Sequence, residues 1–93
     1  MNATEELLDE RALSKLKWRC RRGLLENDIY IDHFFQKFAA TLTVSQGQAL
    51  SDLMELSDND LLDLHLARKP LGQVEPALDR SEVHEVLSML RNR

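Results

Sequence analysis

The chain has 93 residues, 12 of them basic and 16 acidic, for a formal net charge of −4. At this length one domain is expected, and only ~60–70% of the unfolded surface becomes buried, too little to wall in a cofactor cleft on all sides. The single cysteine, Cys20, excludes an intramolecular disulfide and a zinc site of several cysteines, and points to a reducing compartment.

No apolar run approaches the ~18–20 residues of a membrane span. The first ten residues, MNATEELLDE, carry four acids and no base, the wrong sign for a secretory or organellar presequence. Leu and Ala supply 25 residues, whereas Val, Ile and Thr together supply nine. Straight-chain residues and Ala lose little freedom in a helix, and strands favour β-branching. The expected fold is therefore all-α: a compact bundle of five helices with antiparallel neighbours and one longer loop before the last helix.

The first helix is expected from about residue 5 to Arg22, ending at Gly23, with residues 1–10 as its acidic extension and residues 11–93 as the bundle domain. Ala12, Leu13, Leu16 and Cys20 share its apolar face. The second runs from about Leu24 to Ala40, with Leu24, Ile31, Phe34, Phe35, Phe38 and Leu42 as a wide apolar stripe. A third starts near Thr43, with Gln46 at capping-box spacing, and buries Leu50, Leu53 and Met54. A fourth starts at Ser57 with Asp60 three residues on. The connection ARKPLGQVEPAL, residues 67–78, holds both prolines and a glycine and reads as the long loop. The last helix is expected near Asp79, with Glu82 three residues on and Val83, Val86, Leu87 and Leu90 facing inward.

Chemistry concentrates at the first helix. Residues 11–22 hold six bases and no acid. At 100° per residue, Arg11, Lys15, Trp18 and Arg22 project within about 60° of one another, away from the apolar face. A solvated charged face with Trp18 packed at the bundle edge is one account of this stripe. A partner-binding face is the other, since Trp and Arg combine contact area with directional donors. A nucleic-acid role fits poorly, because the rest of the chain is acidic and no binding motif accompanies the stripe.

The turn Arg22-Gly23-Leu24-Leu25-Glu26 joins the stripe to the second helix. Capping alone can explain it: Gly23 ends one helix and begins another, and Glu26 takes the third position of a capping box. Asp28 and Asp32 border the second helix's apolar stripe, where a half-buried carboxylate pairs with a base or serves the helix start. His33, His65 and His84 lie on separate segments with no second ligand at i+3 or i+4, so surface histidines are expected and no metal. No phosphate loop, dinucleotide fingerprint or nucleophile signature appears, which argues against an enzyme and against a tightly bound cofactor.

The segment Trp18-Arg19-Cys20-Arg21-Arg22-Gly23-Leu24-Leu25-Glu26 resembles the signature of the succinate dehydrogenase flavinylation factors, the SdhE-like FAD assembly factors. Their Arg-Gly-x-x-Glu hallmark is matched by Arg22, Gly23 and Glu26. Asp28-Ile29, Phe34-Phe35, Asp58-x-Asp60-Leu61 and Lys69-Pro70 add to the resemblance, which covers about residues 11–91. It implies a bacterial, cytoplasmic assembly factor. Such a protein binds the immature flavoprotein subunit of succinate dehydrogenase, or of fumarate reductase, and promotes covalent FAD attachment there. Arg22, Gly23 and Glu26 would form the contact surface, with Trp18, Lys15, Arg11 and Asp28 beside them. An antitoxin-like regulatory protein opposing a membrane-bound toxin is the alternative the same resemblance leaves open.

Overall fold

A computed structural model describes residues 6–21 and 24–91. Among them are six helices: α1 (Glu10–Arg19), α2 (Leu25–Phe38), α3 (Val44–Leu53), α4 (Asp58–His65), α5 (Leu71–Val74) and α6 (Ser81–Arg91). The five longer ones are those expected from periodicity. The sixth, α5, lies in the stretch expected to be a loop, where Pro70 precedes the first helical residue, Leu71 is buried, and a 3-10 turn follows at Pro76–Leu78. One buried leucine is enough to fold a single turn back onto the bundle.

The start of the chain departs most from expectation. α1 begins at Glu10, not near residue 5. Asp9 is its N-cap, its carboxylate accepting from the Ala12 amide at 2.7 Å. Residues 6–8 are extended and pair with the segment before α3: the Leu8 amide donates to the Leu42 carbonyl (2.9 Å) and the Val44 amide to the Glu6 carbonyl (2.8 Å). With Asp9 as the cap, residues 6–8 go into this extended pairing instead of lengthening the helix. Leu8 seats against α3 at Gly47, where a methyl group would fall 2.9 Å from a Leu8 methyl carbon.

α3 carries the complete capping box read from Thr43 and Gln46, and α4 the Ser57 cap on Asp60. α4 closes with Ala67 in the left-handed region at φ 57°, the Arg68 amide reaching the Asp63 carbonyl and the Ala67 amide that of Leu64. This Schellman arrangement is usually made by glycine. α6 starts two residues later than expected, at Ser81. Asp79 instead pairs with the His84 imidazole. The core runs through Leu16, Ile31, Phe34, Leu42, Leu50, Leu53, Leu61, Leu64, Val83, Val86 and Leu90, all buried. α6 packs chiefly on α3 and also on α2 and α4, while α1 lies on α3.

Candidate functional site

Building from α1 outward, Leu16 and Cys20 turn into the core, and the opposite face is left to Arg11, Lys15 and Trp18, all exposed. Trp18 is 73% exposed, so the indole contributes nothing to the core and does not pack at the bundle edge. Its ring is covered on one side by Arg21, whose guanidinium carbon lies 5.3 Å from the ring centroid. That geometry suits a cation–π contact.

Between α1 and α2 runs a groove of about 660 Å³, walled by Trp18, Arg21 and Lys17 on one side and Asp28 and Asp32 on the other, with Ile31 and Phe35 at its base. Lys17 holds its ammonium 5.8 Å from the Phe35 ring centroid. The groove is polarised: bases on the α1 lip, acids on the α2 lip, an apolar floor. Such a surface recognises a partner presenting apolar side chains flanked by charge of both signs.

The stripe read from the sequence divides over two faces. Trp18 borders the α1–α2 groove. Lys15 borders a smaller depression against α3, with Arg19 and Gly47. Arg19 is tied across to Glu55. Arg22 and Gly23 lie outside the described residues. Asp28 is half-buried at the groove, as its place on the stripe border suggests. Glu26 is exposed in the first turn of α2, and here the capping account fails. The N-cap is Leu24, with no side-chain cap bond, which puts Glu26 at the second helical position rather than the third.

Two residues that sequence reasoning passed over define the support of this turn. Asn27 is fully buried, and its amide nitrogen donates to the Asp58 carbonyl oxygen at 3.1 Å, with the Asp58 carboxylate at 3.4 Å. A backbone carbonyl only accepts, so the Asn27 oxygen must point the other way, to His65 Nδ1 at 3.0 Å. That contact fixes the neutral Nδ1–H tautomer. His65 is 3% exposed and stacks on Tyr30 with ring centroids 4.7 Å apart, so the expectation of a surface histidine is corrected here. Its Nε2 is buried with no partner among the described residues. Burial, with Arg91 nearby, pushes the imidazole down from 6.5 to about 4. The signal was present: Asn27 is four residues before Ile31, and His65 four after Leu61, both on apolar stripes. Polar residues at those positions mark a buried pair.

Among the described residues no three His, Cys, Asp or Glu side chains gather as a metal site. No helix of theirs is long and apolar enough to cross a membrane.

Comparison of the sequence with known proteins places the chain in a family. A protein described as FAD assembly factor SdhE from Ralstonia nicotianae is 49% identical over 83 residues, 89% of this chain and 84% of that one. One of the same description from Legionella pneumophila (strain Lens) is 33% identical over 91% of this chain and 98% of its own length, and one from Coxiella burnetii 30% identical over 86% and 89%. No solved structure matches. The family profile described as flavinator of succinate dehydrogenase matches residues 14–93, from the middle of α1 through α6, and the chain belongs to that family.

Proposed function

We propose that this protein is an assembly factor that binds the flavoprotein subunit of succinate dehydrogenase before its flavin is covalently attached, and promotes that attachment. The observation that carries the reading is the family match over residues 14–93, which includes the segment bearing Trp18, Arg22, Gly23 and Glu26. The exposure of Trp18 supports it: a helix of a small domain gains nothing for its own stability by presenting an indole to water, and large exposed aromatics are characteristic of binding anchors.

In this reading Trp18, Arg22, Gly23 and Glu26 meet the partner centrally, the groove floor at Ile31 and Phe35 receives apolar side chains beside Asp28, and Arg11 and Lys15 lie at the rim. The protein acts as a chaperone in the bacterial cytoplasm rather than as a catalyst. In this reading the bond-forming chemistry belongs to the flavoprotein and its FAD, and the assembly factor needs no flavin of its own. The flavoprotein of fumarate reductase is a second client in this reading. The relatives reported carry the assembly-factor description and lend no support to the antitoxin reading.

The test is complementation in bacteria lacking the factor, with in-gel flavin fluorescence of the succinate dehydrogenase flavoprotein as the readout. Wild type restores the fluorescent band. Glu26→Ala and Trp18→Ala, purified and shown to melt as wild type does, lose most of it. Full fluorescence with both variants would move the interface elsewhere.

A further inference from the structure

The first turn of α2 is held in an unusual way. Leu24 offers no side-chain cap, Leu25 and Glu26 are exposed, and Asp28 is only half-buried. Between Leu24 and Ile31 the one fully buried residue is Asn27. The approach of this turn to the rest of the bundle therefore depends on Asn27, and Asn27 is fixed entirely to α4: by its amide to the first residue of that helix and by its oxygen to the last, His65. Tyr30, one turn on, stacks on the same imidazole.

An apolar side chain in that position could fill the space equally well. It could not set direction, because dispersion contacts are non-directional whereas a doubly bonded amide accepts one orientation only. The pair leaves the Nε2 lone pair buried and unpartnered among the described residues, a cost that bulk packing would avoid. A buried polar pair of this kind is best accounted for by the geometry it selects.

We propose that Asn27 and His65 are positioning residues for partner binding: their hydrogen bond pins the first turn of α2 to α4 and thereby presents Leu25 and Glu26 to the flavoprotein in one orientation. This rests on the assignment of that turn as the contact surface. Neither side chain touches the partner, since both are buried; they act through the backbone that carries Glu26. The selectivity is for a neutral imidazole, as a second ring proton would meet no acceptor and would face Arg91 from α6.

The experiment is calorimetric titration of the purified apo-flavoprotein subunit of succinate dehydrogenase with the full chain. Replacing both partners by apolar residues, Asn27→Leu with His65→Leu, removes the bond and the buried imidazole together, at the cost of the Asn27 donor to the Asp58 carbonyl, and the variant is expected to stay folded. Its affinity is expected to fall about tenfold or more. His65→Asn retains an N–H donor near the Nδ1 position, and is expected to keep affinity within about threefold of wild type. Wild-type affinity in a folded apolar double variant overturns the proposal. So does an unfolded double variant, which would assign the pair to global stability rather than to a separable positioning role. Trp18→Ala and Glu26→Ala are titrated alongside. If those two bind like wild type the contact surface itself is misplaced; if they weaken binding and the double variant does not, only the positioning role fails.

Discussion

Two helix starts in this molecule are built on opposite principles. α3 begins with a closed local device: the Thr43 hydroxyl accepts from the Gln46 amide at 3.1 Å and the Gln46 side chain accepts from the Thr43 amide at 3.0 Å. Its partners are three residues apart, so the start forms wherever the segment is helical. α2 begins with Leu24, which caps nothing, and its first turn is secured by Asn27 to Asp58 and His65, 31 and 38 residues further along the chain. That start is complete only when α4 has docked. Glu26, proposed as a contact residue, sits at the second kind of start. Its geometry is thus a property of the assembled bundle, which suits a surface that must meet a partner in one orientation.

The largest way to test the difference is by pH. His65 is held at about 4 when folded against 6.5 in the unfolded chain. Between those values the unfolded chain takes up a proton that the folded one refuses, so this contribution to stability is intact above about pH 6.5 and declines as pH falls towards 4. Fully developed, a shift of that size corresponds to about 3 kcal/mol. Denaturant unfolding from pH 7.5 to 4 should show a steeper loss for wild type than for His65→Asn, which keeps every other titrating group. Parallel profiles for the two proteins would mean that the imidazole is not held neutral by its setting.

Next in size is Trp18→Ala. If the exposed indole anchors the complex, its loss should weaken flavoprotein binding by about 2 kcal/mol, about thirtyfold, at both low and high salt. Thermal stability should move by no more than about 0.5 kcal/mol, because the side chain is largely in water. A variant that unfolds more readily and binds normally would reverse the assignment.

The third test sets the two starts directly against each other. Thr43→Ala removes a capping-box member and should cost about 1 kcal/mol of stability. Glu26→Ala removes an exposed acid at the second position of α2, with no cap bond, and should cost only about 0.3 kcal/mol through the helix dipole, less in salt. Equal losses in chemical denaturation would restore the capping account of Glu26.

Apolar residues recurring at helical spacing locate most of the longer helices, and capping chemistry, being local, locates the starts at Thr43 and Ser57. The start of α1 is not legible in this way, because Asp9, the cap that ends the extended segment, is indistinguishable by composition from the acids of a helical run. Nor is α5, because a single turn has no period to detect. At the site, the exposure of Arg11, Lys15 and Trp18 follows from their angle on α1, but the partition of Trp18 to α2's side and Lys15 to α3's depends on where two other helices lie. The Asn27–His65 bond spans 38 residues, and no local pattern encodes a partner at that distance; only the presence of polar residues on apolar stripes betrayed it.

The smallest expected effect belongs to Arg11. It is exposed near the start of α1, lines neither the groove at Trp18 nor the depression at Lys15, and lies about two turns along the helix from Trp18. At ~1.5 Å per residue that is a displacement of roughly 10 Å, beyond the ~8 Å Debye length at 0.15 M ionic strength. A charge so placed attracts an anionic partner surface at a distance without being desolvated in the complex. Arg11→Ala should therefore leave affinity for the apo-flavoprotein within about twofold at 0.15 M salt, and lower the association rate only when salt is reduced to about 0.01 M, where screening extends to ~30 Å. Stopped-flow association at the two ionic strengths separates these cases. A salt-independent tenfold loss would place Arg11 inside the interface, extending the contact along the whole of α1 and away from the start of α2.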